Sequence, residues 1–172
     1  MQSLPVPTIY GIATAASVQL AEAVMGATFP SLLKQIYLEV ANGGFGPGAG
    51  LLGVAGGYPD SDGRTAEAKY EWFLGQGWRR QLLPAFDWGD GSWSGIDLST
   101  PSGQIITAEA KGFTQTRFDL SSWFSEWLAG TDLHSEIYEI EQAVITNPFT
   151  HKPMTVRRRG RAKGKLVEER EP

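Results

Sequence analysis

Residues 82–105 read Leu82-Leu83-Pro84-Ala85-Phe86-Asp87-Trp88-Gly89-Asp90-Gly91-Ser92-Trp93-Ser94-Gly95-Ile96-Asp97-Leu98-Ser99-Thr100-Pro101-Ser102-Gly103-Gln104-Ile105. Short apolar runs at 82–86, 92–98 and 104–108 are separated by two clusters of Asp, Gly, Pro and Ser. Asp bonds its own backbone two residues on, Gly supplies positive φ and Pro presets a turn, so each cluster reverses the chain. Strands of this length between such turns predict an antiparallel meander.

Helical patterns flank the meander. Upstream, 14–25 places Val18, Ala21, Val24 and Met25 on one face, and Gly26 ends the helix. Pro30 suits the opening of a second helix, whose stripe is Leu32, Leu33, Ile36, Tyr37 and Val40, and Asn42-Gly43-Gly44 stops it. A glycine-rich stretch, 45–57, reads as loop, short strand, loop, and a third helix is predicted over 65–74 after the turn Pro59–Gly63. Downstream, Asp119 caps a helix whose buried face is Leu120, Trp123, Phe124, Trp127 and Leu128, with Gly130 as its stop. Residues 136–144 read as helix or strand, with composition favouring helix. Residues 1–11, with Pro5 and Pro7, read as an extended opening segment. The class is α+β: one domain with helices packed against a mostly antiparallel twisted sheet.

Length and composition bound the rest. A chain of 172 residues is one domain's worth. The expected domain is 1–146, followed by a basic, flexible tail over 147–172. Six tryptophans fall in pairs, 72 with 78, 88 with 93 and 123 with 127, and such rings are expected in or near the core. The absence of cysteine excludes disulfides, thiolate metal sites and a cysteine nucleophile. No apolar run approaches the ~18 residues of a membrane helix, and residues 1–7 lack a signal-peptide pattern, so the expectation is a soluble cytoplasmic protein. Charge is unevenly spread. Residues 1–150 carry seven basic and sixteen acidic side chains, a balance of −9, whereas 151–172 carry eight basic and three acidic, a balance of +5.

Chemical motifs fail on context. Gly48-Ala49-Gly50-Leu51-Leu52-Gly53 spells G-x-G-x-x-G but follows a helix and leads into more glycine, not the strand–turn–helix that binds a dinucleotide. The Asp60-Ser61-Asp62-Gly63 run puts Arg64 and Thr65 where a calcium loop needs an oxygen ligand and a glycine. Gly91-Ser92-Trp93-Ser94-Gly95 lacks the central serine of a nucleophile elbow, and the two histidines, His134 and His151, lie far along the chain. Asp87, Asp90 and Asp97 are close enough for acid–base work, but turn chemistry accounts for them better. No catalytic residue, metal ligand or cofactor is assigned.

The order of segments resembles the SUKH superfamily of Smi/Knr-type cell-wall regulators and bacterial toxin-immunity proteins. The resemblance rests on Met25-Gly26, on Phe29-Pro30 with the helix ending at Asn42-Gly43-Gly44, and on the glycine-rich strand from Gly46 to Val54. It rests further on the Asp87–Gly91 cluster with Ile96-Asp97-Leu98-Ser99 and Pro101-Ser102-Gly103, and on the helix Ser122–Gly130, so that it is strongest over 14–130. Residues 131–172 extend beyond it. The resemblance implies a protein-binding module without catalysis. Bacterial members bind and neutralise toxin domains, often nucleases, and eukaryotic relatives are protein-interaction modules.

A nuclease toxin needs a positively charged cleft, which an acidic body complements. The expected contact face is therefore Asp60, Asp62, Asp87 and Asp90, with Trp88 or Trp93 as aromatic anchor; the plainer account is that these aspartates shape solvated turns. Asp97, inside a strand, reads as structural. The competing reading is nucleic-acid binding by the tail, where Arg157, Arg158, Arg159, Arg161, Lys163 and Lys165 place six cations in nine residues. The partner is expected to be a protein, with no membrane contact, and oligomeric state is not legible.

Overall fold

The computed structural model describes residues 10–169, so the opening segment expected before residue 10 lies outside the described residues. The stretch that opened the sequence reading folds as the meander β1 (Leu82–Asp87), β2 (Trp93–Asp97) and β3 (Gln104–Glu109). All neighbours pair antiparallel, with Gly95 opposite both Pro84 and Ile106. In the second turn the Asp97 carboxylate accepts from the Ser99 N–H at 3.0 Å and its hydroxyl at 2.6 Å. Asp97 is buried there, and Arg79 approaches it at 3.4 Å, consistent with a structural part. A fourth strand, β4 (Gly112–Asp119), continues the sheet and was not assigned from sequence.

Helices cover the sheet. In α1 (Ala15–Met25) the Thr14 hydroxyl caps the first turn by accepting from the Ser17 N–H, and Val18, Ala21 and Met25 are buried. Helix α2 (Ser31–Gln35) passes into a π turn over Ile36–Val40, closed by the Ala41 N–H to the Ile36 carbonyl at 3.0 Å. That extra residue rotates the end of the helix. Leu33, Ile36 and Tyr37 stay buried as expected, but Leu32 and Val40 of the predicted stripe are exposed. Tyr37 donates to the Leu52 carbonyl at 2.6 Å, and burial, helped by the charge of Glu67, holds its phenol far above the usual range.

The helix stop is also a joint. The buried Asn42 amide donates to the Val54 carbonyl at 3.2 Å and accepts from the Val54 N–H at 2.8 Å. Its own backbone bonds Gly11 and Tyr58. Gly43, at φ +83°, lies so close to Leu51 and Gly53 that a β-carbon would sit 2.5 Å from the Leu51 carbonyl oxygen. The loop is thus pressed onto the sheet, where the Leu52 N–H bonds the Ala85 carbonyl and Leu51 bridges Phe86. It also seats α3 (Ala66–Leu74), whose Ala66 N–H bonds the Gly53 carbonyl at 2.8 Å.

Helix α4 (Leu120–Leu128) begins at a reciprocal capping box between Asp119 and Ser122. Leu120 and Trp123 are buried, with Trp123 against Phe86, Phe118 and Trp88. Phe124 and Trp127 pack on Phe45. Leu128, expected on the buried face, is 76% exposed in the last turn of the helix.

The final forty residues depart most from expectation. A short helix α5 (Leu133–Ile137) gives way at once to β5 (Tyr138–Thr146), so the favoured helix over 136–144 is corrected to a strand. Residues expected to be a flexible tail form β6 (Pro153–Ala162) and β7 (Lys165–Glu169). Strand β6 pairs with β5 in a two-stranded ribbon, and β7 pairs with β4, giving the main sheet the order β1-β2-β3-β4-β7. A strand places successive side chains on opposite faces, so Arg158 points away from the face shared by Arg157 and Arg159. Among the described residues no helix is long and apolar enough to cross a membrane.

Replacing Asn42 with alanine strands the Val54 N–H and carbonyl in the interior; urea unfolding should show a loss of roughly 2–3 kcal/mol. A chain ending at residue 162 loses β7, including Val167 packed on the core. Its unfolding free energy should fall by roughly 2 kcal/mol in urea titrations, whereas removal of a solvated tail leaves it unchanged.

Candidate functional site

On α3, Lys69, Trp72 and Phe73 follow the i, i+3, i+4 rule and share one helical face, and Gln76 follows in the turn just beyond the helix. That face meets β2, the end of β3 and the turn after β1. Between them lies a cleft of about 460 Å³ walled by Lys69, Trp72, Phe73, Trp93, Asp87 and Glu109. Its aromatic floor is tightly ordered. Phe73 stacks on Trp78 at 4.4 Å and meets Trp93 edge-on at 5.3 Å, while the Trp78 indole N–H donates to the Leu82 carbonyl. Trp72 stands at the rim, 43% exposed.

A lysine in such surroundings needs a counter-charge, and Asp60 supplies it at 2.6 Å. Both side chains are buried, 7% and 1% exposed. The ammonium lies 4.7, 4.8 and 5.1 Å from the ring centres of Trp72, Phe73 and Trp93, within cation–π range of all three. The other Asp60 oxygen accepts from the backbone N–H groups of Asp62 and Arg64. Burial pushes the Asp60 carboxyl up, but the Lys69 bond, the two N–H donors and the Lys69 charge outweigh it and hold it below the ordinary range. Asp62 is exposed and paired with Arg64 at 2.9 Å.

A second cluster adjoins the first. Asp90 accepts from both the N–H and the hydroxyl of Ser92 through one oxygen. Its other oxygen lies 3.2 Å from His134 Nε2 and 3.4 Å from Arg159 Nε. Arg159 also reaches Glu109 at 3.3 Å and lies over the Tyr138 ring at 4.8 Å. Burial raises the Asp90 carboxyl, and the Ser92, His134 and Arg159 contacts together lower it by more. Serine, histidine and aspartate do meet here, yet serine and histidine both bond to the aspartate. A nucleophilic relay needs the serine on the histidine.

The expected contact residues therefore divide. Asp87 and Trp93 come together in the cleft, with Asp60 behind it holding Lys69; Trp93, a proposed anchor, is only 8% exposed. Asp87 also accepts from the Gly89 N–H, and the Trp88 indole is tied to the Ser94 hydroxyl. Asp90, from the expected acidic face, and Arg159, from the expected nucleic-acid site, neutralise each other. Arg158 is paired with Glu141 at 2.9 Å and Lys163 donates to the Ser135 carbonyl. Arg157, Arg161 and Lys165 are exposed. Among the described residues no three carboxylate or imidazole groups converge as a metal ion requires.

The sequence profile of the SMI1/KNR4 family (SUKH-1) matches residues 12–130. The chain belongs to this family. Neither curated proteins nor solved structures compared with it give a match. The SUKH-1 match takes in α1–α4 and β1–β4, and with them the walls of the cleft; α5 and β5–β7 lie beyond it. Sequence reading of this SUKH-1 chain missed Lys69, Trp72 and Glu109. The spacing of Lys69, Trp72 and Phe73 was a readable helical face, but it gave no sign of which surface that face would meet.

Both Asp60 and Asp90 sit below the unfolded carboxyl value of about 3.9, so their contribution is complete above that pH and disappears as pH falls through the lower folded values. Stability of the wild type should drop steeply below about pH 4, and the Asp60→Asn variant should start lower at neutral pH but show a shallower acid slope. Lys69→Met should cost about 3–5 kcal/mol by leaving Asp60 buried and unpaired, and adding Asp60→Asn should recover much of that loss in the same melts.

Proposed function

We propose that this SUKH-1 protein is an immunity-type binding module that neutralises a toxin domain, with the cleft between α3 and the meander as its docking site. The observation that carries the reading is the presence, in one cleft within the family-matched residues, of a half-exposed indole, Trp72, with the carboxylates of Asp87 and Glu109. An aromatic ring beside desolvated carboxylates is the arrangement that anchors a basic side chain. Beyond it, the balance of −9 over residues 1–150 favours a positively charged partner such as a nuclease domain and speeds its encounter at low salt. The Lys69–Asp60 pair contributes rigidity, because a pre-ordered wall costs less entropy on binding.

Nucleic-acid binding through the arginines has less support than it had from sequence, since Arg158, Arg159 and Lys163 are engaged within the protein.

The test is co-expression with a toxin domain, which this reading expects to be encoded beside the chain. The wild type should restore growth and co-purify with the toxin. Asp87→Lys and Trp72→Ala should each weaken binding at least about tenfold by calorimetry while leaving the melting curve of the free protein near wild type. Absence of protection and of co-purification by the wild type would sink the proposal.

A further inference from the structure

Trp72 is the exposed indole of the cleft, and its ring is already in use. The Lys69 ammonium lies 4.7 Å from the ring centre and the central carbon of the Arg64 guanidinium 4.8 Å from it. Both cations face one carboxylate oxygen, Asp62 Oδ2, with Arg64 Nη1 at 2.9 Å and Lys69 Nζ at 3.7 Å. The indole and this carboxylate together make a seat for a cation, a π face beside an anion.

The two occupants are held very differently. Lys69 is buried, bonds the buried Asp60 at 2.6 Å and lies within cation–π range of Phe73 and Trp93 as well. Withdrawing it would leave a buried carboxylate without its counter-charge. The Arg64 side chain is 32% exposed and that of Asp62 57%, an ion pair of the solvent-screened kind that is weakly held. The backbone of Arg64 serves the fold: its N–H bonds Asp60 Oδ1 at 2.8 Å and its carbonyl accepts from the Asp60 N–H at 2.8 Å. The turn that carries Arg64 is thus fixed without its guanidinium, which is free to leave the ring.

We infer that Arg64 is a resident stand-in for an arginine of the partner, and that docking exchanges its guanidinium for the partner's at the Trp72 ring and Asp62. The inference rests on the docking site proposed above and names the side chain which that site takes. A guanidinium suits the seat better than an ammonium, because it is planar and weakly hydrated and can lie on a ring while donating to a carboxylate. Arg64 shows that the seat fits such a group. Asp87 and Glu109, walls of the cleft that Trp72 lines, favour a further positive charge nearby. The exchange conserves charge at the ring, so the partner competes with Arg64 alone while Lys69 stays with Asp60.

The experiment titrates the full chain with Nα-acetyl-argininamide and follows the indole N–H resonances, Trp72 being assigned through Trp72→Phe. Ionic strength is held at about 0.15 M, where ~8 Å screening suppresses diffuse attraction. Arg64→Ala and Arg64→Gln, which empty the seat and keep the backbone bonds of the turn, should each bind the probe at least about fivefold more tightly than the wild type. Adding Asp62→Asn to Arg64→Ala should abolish that gain. Nα-acetyl-lysinamide should bind more weakly than the arginine probe, and Nα-acetyl-citrullinamide, its uncharged isostere, should leave the Trp72 resonance in place. Equal affinities of the wild type and both Arg64 variants, a citrulline response equal to that of arginine, or a shift confined to other indoles overturns the inference. No toxin enters these readouts. A toxin that fails to bind would count against the immunity reading and leave the exchange standing, whereas equal affinities would sink the exchange alone.

Discussion

Asn42 is the joint on which the arrangement of this protein turns. One buried amide side chain bonds both polar groups of Val54, and its own backbone holds Gly11 and Tyr58. Those bonds press the glycine-rich loop onto the meander, and the Gly53 carbonyl within that loop receives the first N–H of α3. The face of α3 that forms one wall of the cleft is therefore positioned from a residue twenty-four positions before the helix. A buried amide left half-satisfied is costly, so the joint admits one arrangement of its neighbours.

Electrostatics organise the molecule mainly inward. The carboxylates of Asp60, Asp90 and Asp97 each meet a cation and turn donors, and the cleft is edged by Asp87 and by Glu109, which itself meets Arg159. An acidic composition is thus a poor map of an acidic surface. Net charge acts at long range, whereas a short-range surface is set by which carboxylates the fold leaves unneutralised.

The SUKH-1 region and the extension contribute different things. Within 12–130 lie the helices, the meander and the cleft. The extension returns through β7 to add a fifth strand to the main sheet, lays Arg159 across Asp90, and carries a ribbon with its own apolar face.

The sequence by itself determined α1, α3, α4 and the strands of the meander, because caps, turn residues and periodicity act within a few residues and leave local marks. It also carried the family resemblance, which lies in the order of those marks. The π turn after Gln35, the strands β5, β6 and β7 and the pairing of Arg159 with Asp90 were decided by tertiary structure. Tyr138 and Ile140 alternate with Glu139 and Glu141, a two-residue period visible in the sequence, yet the partner strand begins at Pro153 and looks like a charged tail until it is paired. An arginine run reads as solvated because nothing near it in sequence neutralises it. Asp90, sixty-nine residues before Arg159, does so in space. Contacts across such separations depend on the path of the whole chain, and local composition holds no record of them.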